Sequence, residues 1–190
     1  SFIYAYSAHT YELMAFRAWS FALFVFLSER SEYSLSYSQI TTIFGLLTVL
    51  GMIASTTGAK FCLVFGRRKT ISWIGLLTFL VALVSAVILN GPLWLSISVL
   101  CLYNVVIMFD SGGLTAGTVS ASDDYDRGAL LAVHSMIGFA GGAIGAPIIG
   151  YVLDLTGGEG EIFAWSCALF VLGLGSLLVS LIHLNAQRKP

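Results

Sequence analysis

Apolar residues run along this chain in stretches of about twenty, separated by short polar punctuation. A helix that crosses a bilayer needs roughly 20 mainly apolar residues. Six stretches qualify, at about 2–27, 37–57, 71–89, 93–116, 128–153 and 162–184. The polar run Ser28 to Ser34 separates the first two, and a Ser at 34 or 36 can cap the second helix. Asn90-Gly91-Pro92 is a strong turn signal after the third. Charged residues at 120–127, among them Asp123, Asp124 and Asp126, follow the fourth, and Gly-rich 154–161 follows the fifth. The expected fold is all-α, a polytopic membrane protein with one six-transmembrane-helix bundle over 1–190.

Composition narrows this further. Of 190 residues, 57% are hydrophobic and 10% charged, and mean hydropathy is +0.90. Soluble domains carry about 25% charged residues, so the class is integral membrane protein. A net charge of -1 offers no basic field to nucleic acid. Cys62, Cys101 and Cys167 lie in separate apolar stretches without a C-x-x-C pair. Neither a disulfide framework nor a metal site is expected, and no cofactor. Ser1 leads straight into apolar residues without an initiator Met, a charged leader or an A-x-A site, which reads as a fragment rather than a signal peptide.

Charge then orients the chain. Lys60, Arg67, Arg68 and Lys69 are four of the nine basic residues and fall within ten positions. Lys and Arg near span ends stay cytoplasmic. With loop 58–70 inside, loop 120–127 and the C-terminus are inside too. That side holds Lys60, Arg67, Arg68, Lys69, Arg127, Arg188 and Lys189, while the other holds only Arg30.

The spans differ in what they carry. The third and sixth have no intramembrane acid, Arg or Lys, and read as lipid-facing. The first carries Tyr6, His9, Glu12 and Arg17, and the fourth Asn104, Asp110, Ser111 and Thr115. Such residues face a bundle interior or a watery cavity, because charge in a bilayer costs several kcal/mol. At about 100° per residue, Tyr6, His9, Thr10, Arg17 and Ser20 share one arc with Glu12 at its edge. Asn104, Ser111 and Thr115 share a face with Tyr103 and Asp110 beside it. Two readings stand. Glu12, Arg17 and Asp110 pair with one another to hold the bundle, or they form a substrate or proton pathway, the default for intramembrane ionisable groups.

In the fifth span Gly138, Gly142, Ala146 and Gly150 recur every four residues, with Gly141 and Gly145 as a second stripe. Small residues let helix backbones approach closely, and Pro147 should kink the helix. His134, on the same stripe, reads as an interhelical hydrogen-bond partner. His183 reads as a residue of the membrane interface.

These features together resemble the C-terminal half, helices seven to twelve, of a major facilitator superfamily transporter. Gly66-Arg67-Arg68-Lys69 is similar to the second half of the family's Gly-x-x-x-Asp-Arg-x-Gly-Arg-Arg-Lys motif. Ala59, Leu63 and Val64 replace its Gly, Asp and first Arg. Gly142-x-x-x-Ala146-Pro147-x-x-Gly150 is similar to the family's Gly-x-x-x-Gly-Pro-x-x-Gly. Helices one and four of each family half line the cavity, while three and six face lipid. Tyr6-x-x-His9-x-x-Glu12 and Asp110-Ser111-Gly112-Gly113 look like segments of bacterial members, which implies a bacterial inner (plasma) membrane.

The resemblance implies a secondary active transporter that moves a small solute by alternating access. Its other wall would be the N-terminal six-helix half. Arg17 leaves an anionic substrate open. Glu12, with His9 one turn away and Asp110 assisting, is the candidate proton-exchange site on a central cavity. A latch of Arg67, Arg68 and Lys69 against Asp123, Asp124 and Asp126 is expected between cytoplasmic loops. A channel or nontransporting scaffold is the alternative. An intramembrane protease lacks its nucleophile or paired-carboxylate motifs, and no P-loop is present, so no enzyme is expected.

Overall fold

Helix ends follow local chemistry. The Ser36 hydroxyl accepts the Gln39 N–H at 3.3 Å, and the Gln39 side chain accepts the Ser36 N–H at 2.9 Å. This reciprocal capping box starts the second helix. The computed structural model describes residues 1–187. In chain order these form α1 (Phe2–Glu29), α2 (Tyr37–Phe65), α3 (Arg67–Ile88), α4 (Leu93–Met108), α5 (Ser111–Ser120), α6 (Arg127–Leu155) and α7 (Ile162–Gln187). The fold is all-helical, with six spans long and apolar enough to cross a membrane, α4 and α5 together making the fourth. Arg188 and Lys189, counted above on the basic side, lie outside the described residues.

Two expected outlines are corrected. Residues 58–70 are not a loop. α2 continues to Phe65, α3 begins at Arg67, and Gly66 alone makes the turn at φ 87°. Only glycine adopts that φ freely, and the Thr70 N–H already bonds the Gly66 carbonyl at 3.0 Å. Lys60 therefore rides on a helix rather than a loop. The fourth span is not one helix either. It breaks at Phe109–Asp110, where the Phe109 N–H bonds back only three residues to the Val106 carbonyl.

The break is seated on small residues of α2. A Cβ on Gly58 would lie 1.7 Å from the Phe109 carbonyl oxygen. One on Gly112 would lie 2.7 Å from the Ser55 carbonyl. The Phe109 carbonyl thus occupies the space a side chain on Gly58 would need.

α1 sits at the centre, packed on α6 and α7 and touched by α2, α4 and α5. The glycine stripes of α6 do what their spacing implies. A Cβ at Gly141 would lie 2.4 Å from the Ser7 carbonyl, and one at Gly145 would lie 2.5 Å from that of Tyr11. Gly138 and Gly142 take Tyr6 and Met14, and Gly150 takes Trp19. α6 remains one helix through Pro147, and the neighbouring Ala146 carbonyl accepts the Trp19 indole N–H at 2.8 Å.

The third and sixth spans, expected to face lipid, are not the outermost. α3 runs along α7, and α7 also packs on α1. The least buried spans are α2 at 22% and α6 at 33%, against 50% for α7. Gly75 and Gly173 allow this, since both meet the partner helix closely at Ser176–Ser180 and Phe79–Ala82. Each helix of that pair still turns one apolar side outward, with Trp73 and Val84 exposed on α3 and Phe163 and Leu178 on α7.

Candidate functional site

From its eighth residue onward α1 sends ionisable groups into the bundle core. Glu12 is 1% exposed, His9 2% and Asp110 4%. Tyr103 of α4 donates to Glu12 Oε1 at 2.5 Å, and Ser176 of α7 donates to Oε2. The carboxyl therefore joins three helices. Gly175 closes the cage, because a Cβ there would lie 3.0 Å from Oε2. Tyr103 is held in turn edge-on to Phe16, with ring centres 5.0 Å apart.

His9 Nδ1 lies 2.8 Å from Asp110 Oδ1. This pair spans α1 and the break in the fourth span, so the irregular backbone delivers Asp110 to His9. The other ring nitrogen, Nε2, is buried with no hydrogen-bond partner among the described residues. Tyr6 stacks on His134 at 3.9 Å and lies 5.9 Å from the His9 ring. His134 Nδ1 is 2.9 Å from the Thr118 hydroxyl, an interhelical bond between α6 and α5 as its position suggested. Thr10 donates to the Gly138 carbonyl at 2.5 Å, stitching α1 to α6.

Arg17 is not part of this cluster. It is exposed, and its Nη2 lies 3.6 Å from Met108 Sδ. The mutual pairing of Glu12, Arg17 and Asp110 considered from sequence is therefore not formed. Asp110 takes His9, Glu12 takes two hydroxyls, and Arg17 stays on the bundle surface beside α4. Nor does Glu12 open on a cavity here, since α4 and α7 cover it. Asn104 is buried and donates to the Leu47 carbonyl of α2 at 3.4 Å, serving packing between α4 and α2. Thr115, expected on its face, is exposed, because the break sets α5 off from α4.

The charge count in this core is uneven. With His9 protonated against Asp110, one acid remains, and no cation meets it among the described residues. Hydroxyls both donate and accept, so Tyr103 and Ser176 can serve Glu12 charged or protonated by turning one O–H. The cage can thus accommodate either protonation state without being rebuilt. No three His, Cys, Asp or Glu side chains among the described residues converge to hold a metal ion.

At the basic end, Arg67 donates to the Ser120 hydroxyl at 2.5 Å and Arg68 to the Ala186 carbonyl at 3.1 Å. Asp124 pairs with Arg127 at 2.5 Å on its own side. The two segments do meet, but the expected ion-pair latch between them is absent among the described residues. Arginines at the start of α3 instead tie down the ends of α5 and α7, where carbonyls and dipole both favour cations. His183, expected at the membrane interface, is buried, with its ring 5.2 Å from that of Phe2.

No protein-family model and no curated protein matches the chain. Fold and composition make it an integral membrane protein with six spanning helices and an acidic, histidine-containing core.

Proposed function

We propose that the chain is a six-helix half of a major-facilitator-type secondary active transporter, with Glu12 as its proton-exchange group. The observation that carries this is a buried carboxyl that no cation meets among the described residues, fastened from α1 to α4 and α7 by hydroxyls alone. At about 1.5 Å per residue, Glu12 stands roughly 15 Å from the Phe2 end of a helix about 42 Å long, well inside the bilayer. Intramembrane acids mark proton and substrate pathways. The break at Asp110 adds support, because transporters build their sites where spanning helices are interrupted.

In this reading Glu12 is occluded in the present conformation and reaches water in another. Protonation removes its charge, so the states that bury or expose it differ in proton affinity, as coupling requires. The lightly buried helices α2 and α6 give faces to the N-terminal six-helix half. Arg17, exposed beside Met108, borders the solute path and favours an anionic small molecule. Basic residues set the end with Arg67, Arg68 and Lys69 in the cytoplasm of a bacterial cell, with the inner membrane as host.

One observation favours a second reading, a nontransporting scaffold. The Glu12 cage is closed and both oxygens are bonded, which suits a structural pin. Uptake of radiolabelled solutes into vesicles carrying the protein, with and without a pH gradient, separates the two. A transporter accumulates a solute when the gradient is imposed. Equal, leak-level counts for every solute under both conditions support the scaffold.

A further inference from the structure

α3 begins with a physical conflict. Its first turn is Arg67-Arg68-Lys69, with no acid and no side-chain cap. A helix N-terminus carries free N–H groups and partial positive charge, so three cations there are electrostatically misplaced. Arg67 and Arg68 are turned to Ser120 and Ala186. Lys69 is exposed and has no hydrogen bond or ion pair among the described residues. An anion at this end would meet the helix dipole, the free N–H groups and the lysine together.

Directly beside that turn is an apolar groove of about 340 Å³ between α2 and α3. Phe61 and Phe65 form its α2 wall, Trp73 and Leu77 its α3 wall, and Phe109 from the break lies between. Phe61 stands 5.7 Å from both Phe65 and Phe109, ring to ring. The groove runs from Lys69 to Leu77, roughly 12 Å at the helical rise. It opens outward, with Trp73 64% and Phe65 62% exposed. Thr70 also lines it, and its hydroxyl is buried with no partner among the described residues. A long apolar slot thus ends in a cationic helix start and an unused hydroxyl. That is the chemistry of one amphiphile, with its chain along the slot and its anionic head at Lys69.

We propose that this groove binds an anionic phospholipid, its phosphate at Lys69, Thr70 and the start of α3 and one acyl chain between α2 and α3. Basic pockets between spanning helices take acidic headgroups in this way. The proposal does not depend on the transport reading, because it needs only a membrane around the bundle.

The test places the 190-residue protein in nanodiscs of phosphatidylcholine with increasing phosphatidylglycerol whose acyl chains are brominated. A parallel series uses brominated phosphatidylcholine. Trp73 fluorescence is isolated by subtracting the Trp73→Phe variant, and bromine quenches it on contact. Half-quenching is expected at a several-fold lower mole fraction of phosphatidylglycerol than of phosphatidylcholine. Lys69→Gln should reduce that preference about fivefold, the effect of about one surface cation on an acidic lipid. Equal quenching by both lipids in the unmodified protein overturns the proposal, as does a preference that Lys69→Gln leaves unchanged. Shielding of Trp73 from both lipids, with a dimer in the nanodisc, would assign the groove to a second copy and overturn it too.

Discussion

Replacing Gly58 by Ala should destabilise the bundle, although the same change at Gly45 of the same helix should not. A Cβ at Gly58 would lie 1.7 Å from the Phe109 carbonyl oxygen, 2.7 Å from its carbon and 2.9 Å from a ring carbon. The first two are backbone atoms, so no rotamer change relieves them. α2 or the break must move by more than 1 Å. Overpacking of this kind costs about 1–3 kcal/mol, and backbone clashes fall at or above the upper end. Ala for Gly in a helix returns at most about 1 kcal/mol, so the net effect stays destabilising by about 2 kcal/mol or more. Gly45 is the control, since nothing lies within 4 Å of its Cβ position. Gly45→Ala should be neutral or stabilising by up to about 1 kcal/mol. Denaturant unfolding in mixed micelles, followed by circular dichroism, compares the two. Equal midpoints for Gly58→Ala and Gly45→Ala would refute the seating of the fourth-span break on α2.

Other consequences are separable. Tyr103→Phe and Ser176→Ala each remove one donor from a buried carboxyl, so each should lower stability by about 1–3 kcal/mol. The double variant should depart from additivity, because both act on Glu12, and the same unfolding assay reads it. Gly141→Val drives a side chain into the Ser7 carbonyl and should cost more than Gly128→Ala, which meets open space. Charge reversal of Arg68 and Asp124 should show no mutual rescue of stability. Their partners are the Ala186 carbonyl and Arg127, and not each other.

Spans and small-residue faces were legible in the chain because both are one-helix properties. Membrane length is a count of apolar residues, and Gly138 to Gly150 recur at the helical repeat. Residues 58–70 misled because charge ends a hydropathic run without ending a helix, and only Gly66 breaks the backbone. The interruption at Phe109–Asp110 sits inside an apolar run that hydropathy reads straight through. Periodicity put Arg17 on the arc of His9, yet the neighbours of that arc change along α1. Near His9 it meets Asp110 at the break in the fourth span, and near Arg17 it borders Met108 and the outside. Ser176 left no signal, being one serine in an apolar helix. Its role depends on Gly175, which lets α7 come close enough to α1 for Ser176 to reach Glu12. Glu12, His9 and Asp110 were found because acids and histidines in a membrane span are rare enough to stand out singly. Which of them pair was not readable, since that depends on the break.

The central claim is that Glu12 exchanges the coupling proton. Glu12→Gln keeps the size of the side chain and an acceptor oxygen for Tyr103 or Ser176, but cannot gain or lose a proton near neutral pH. The decisive measurement uses vesicles holding the chain together with the proposed N-terminal half, and a solute identified by uptake. It compares pH-driven accumulation with exchange of labelled solute at equal pH. The account predicts that Glu12→Gln abolishes accumulation while exchange continues. Accumulation that persists in Glu12→Gln with its pH dependence intact would contradict it.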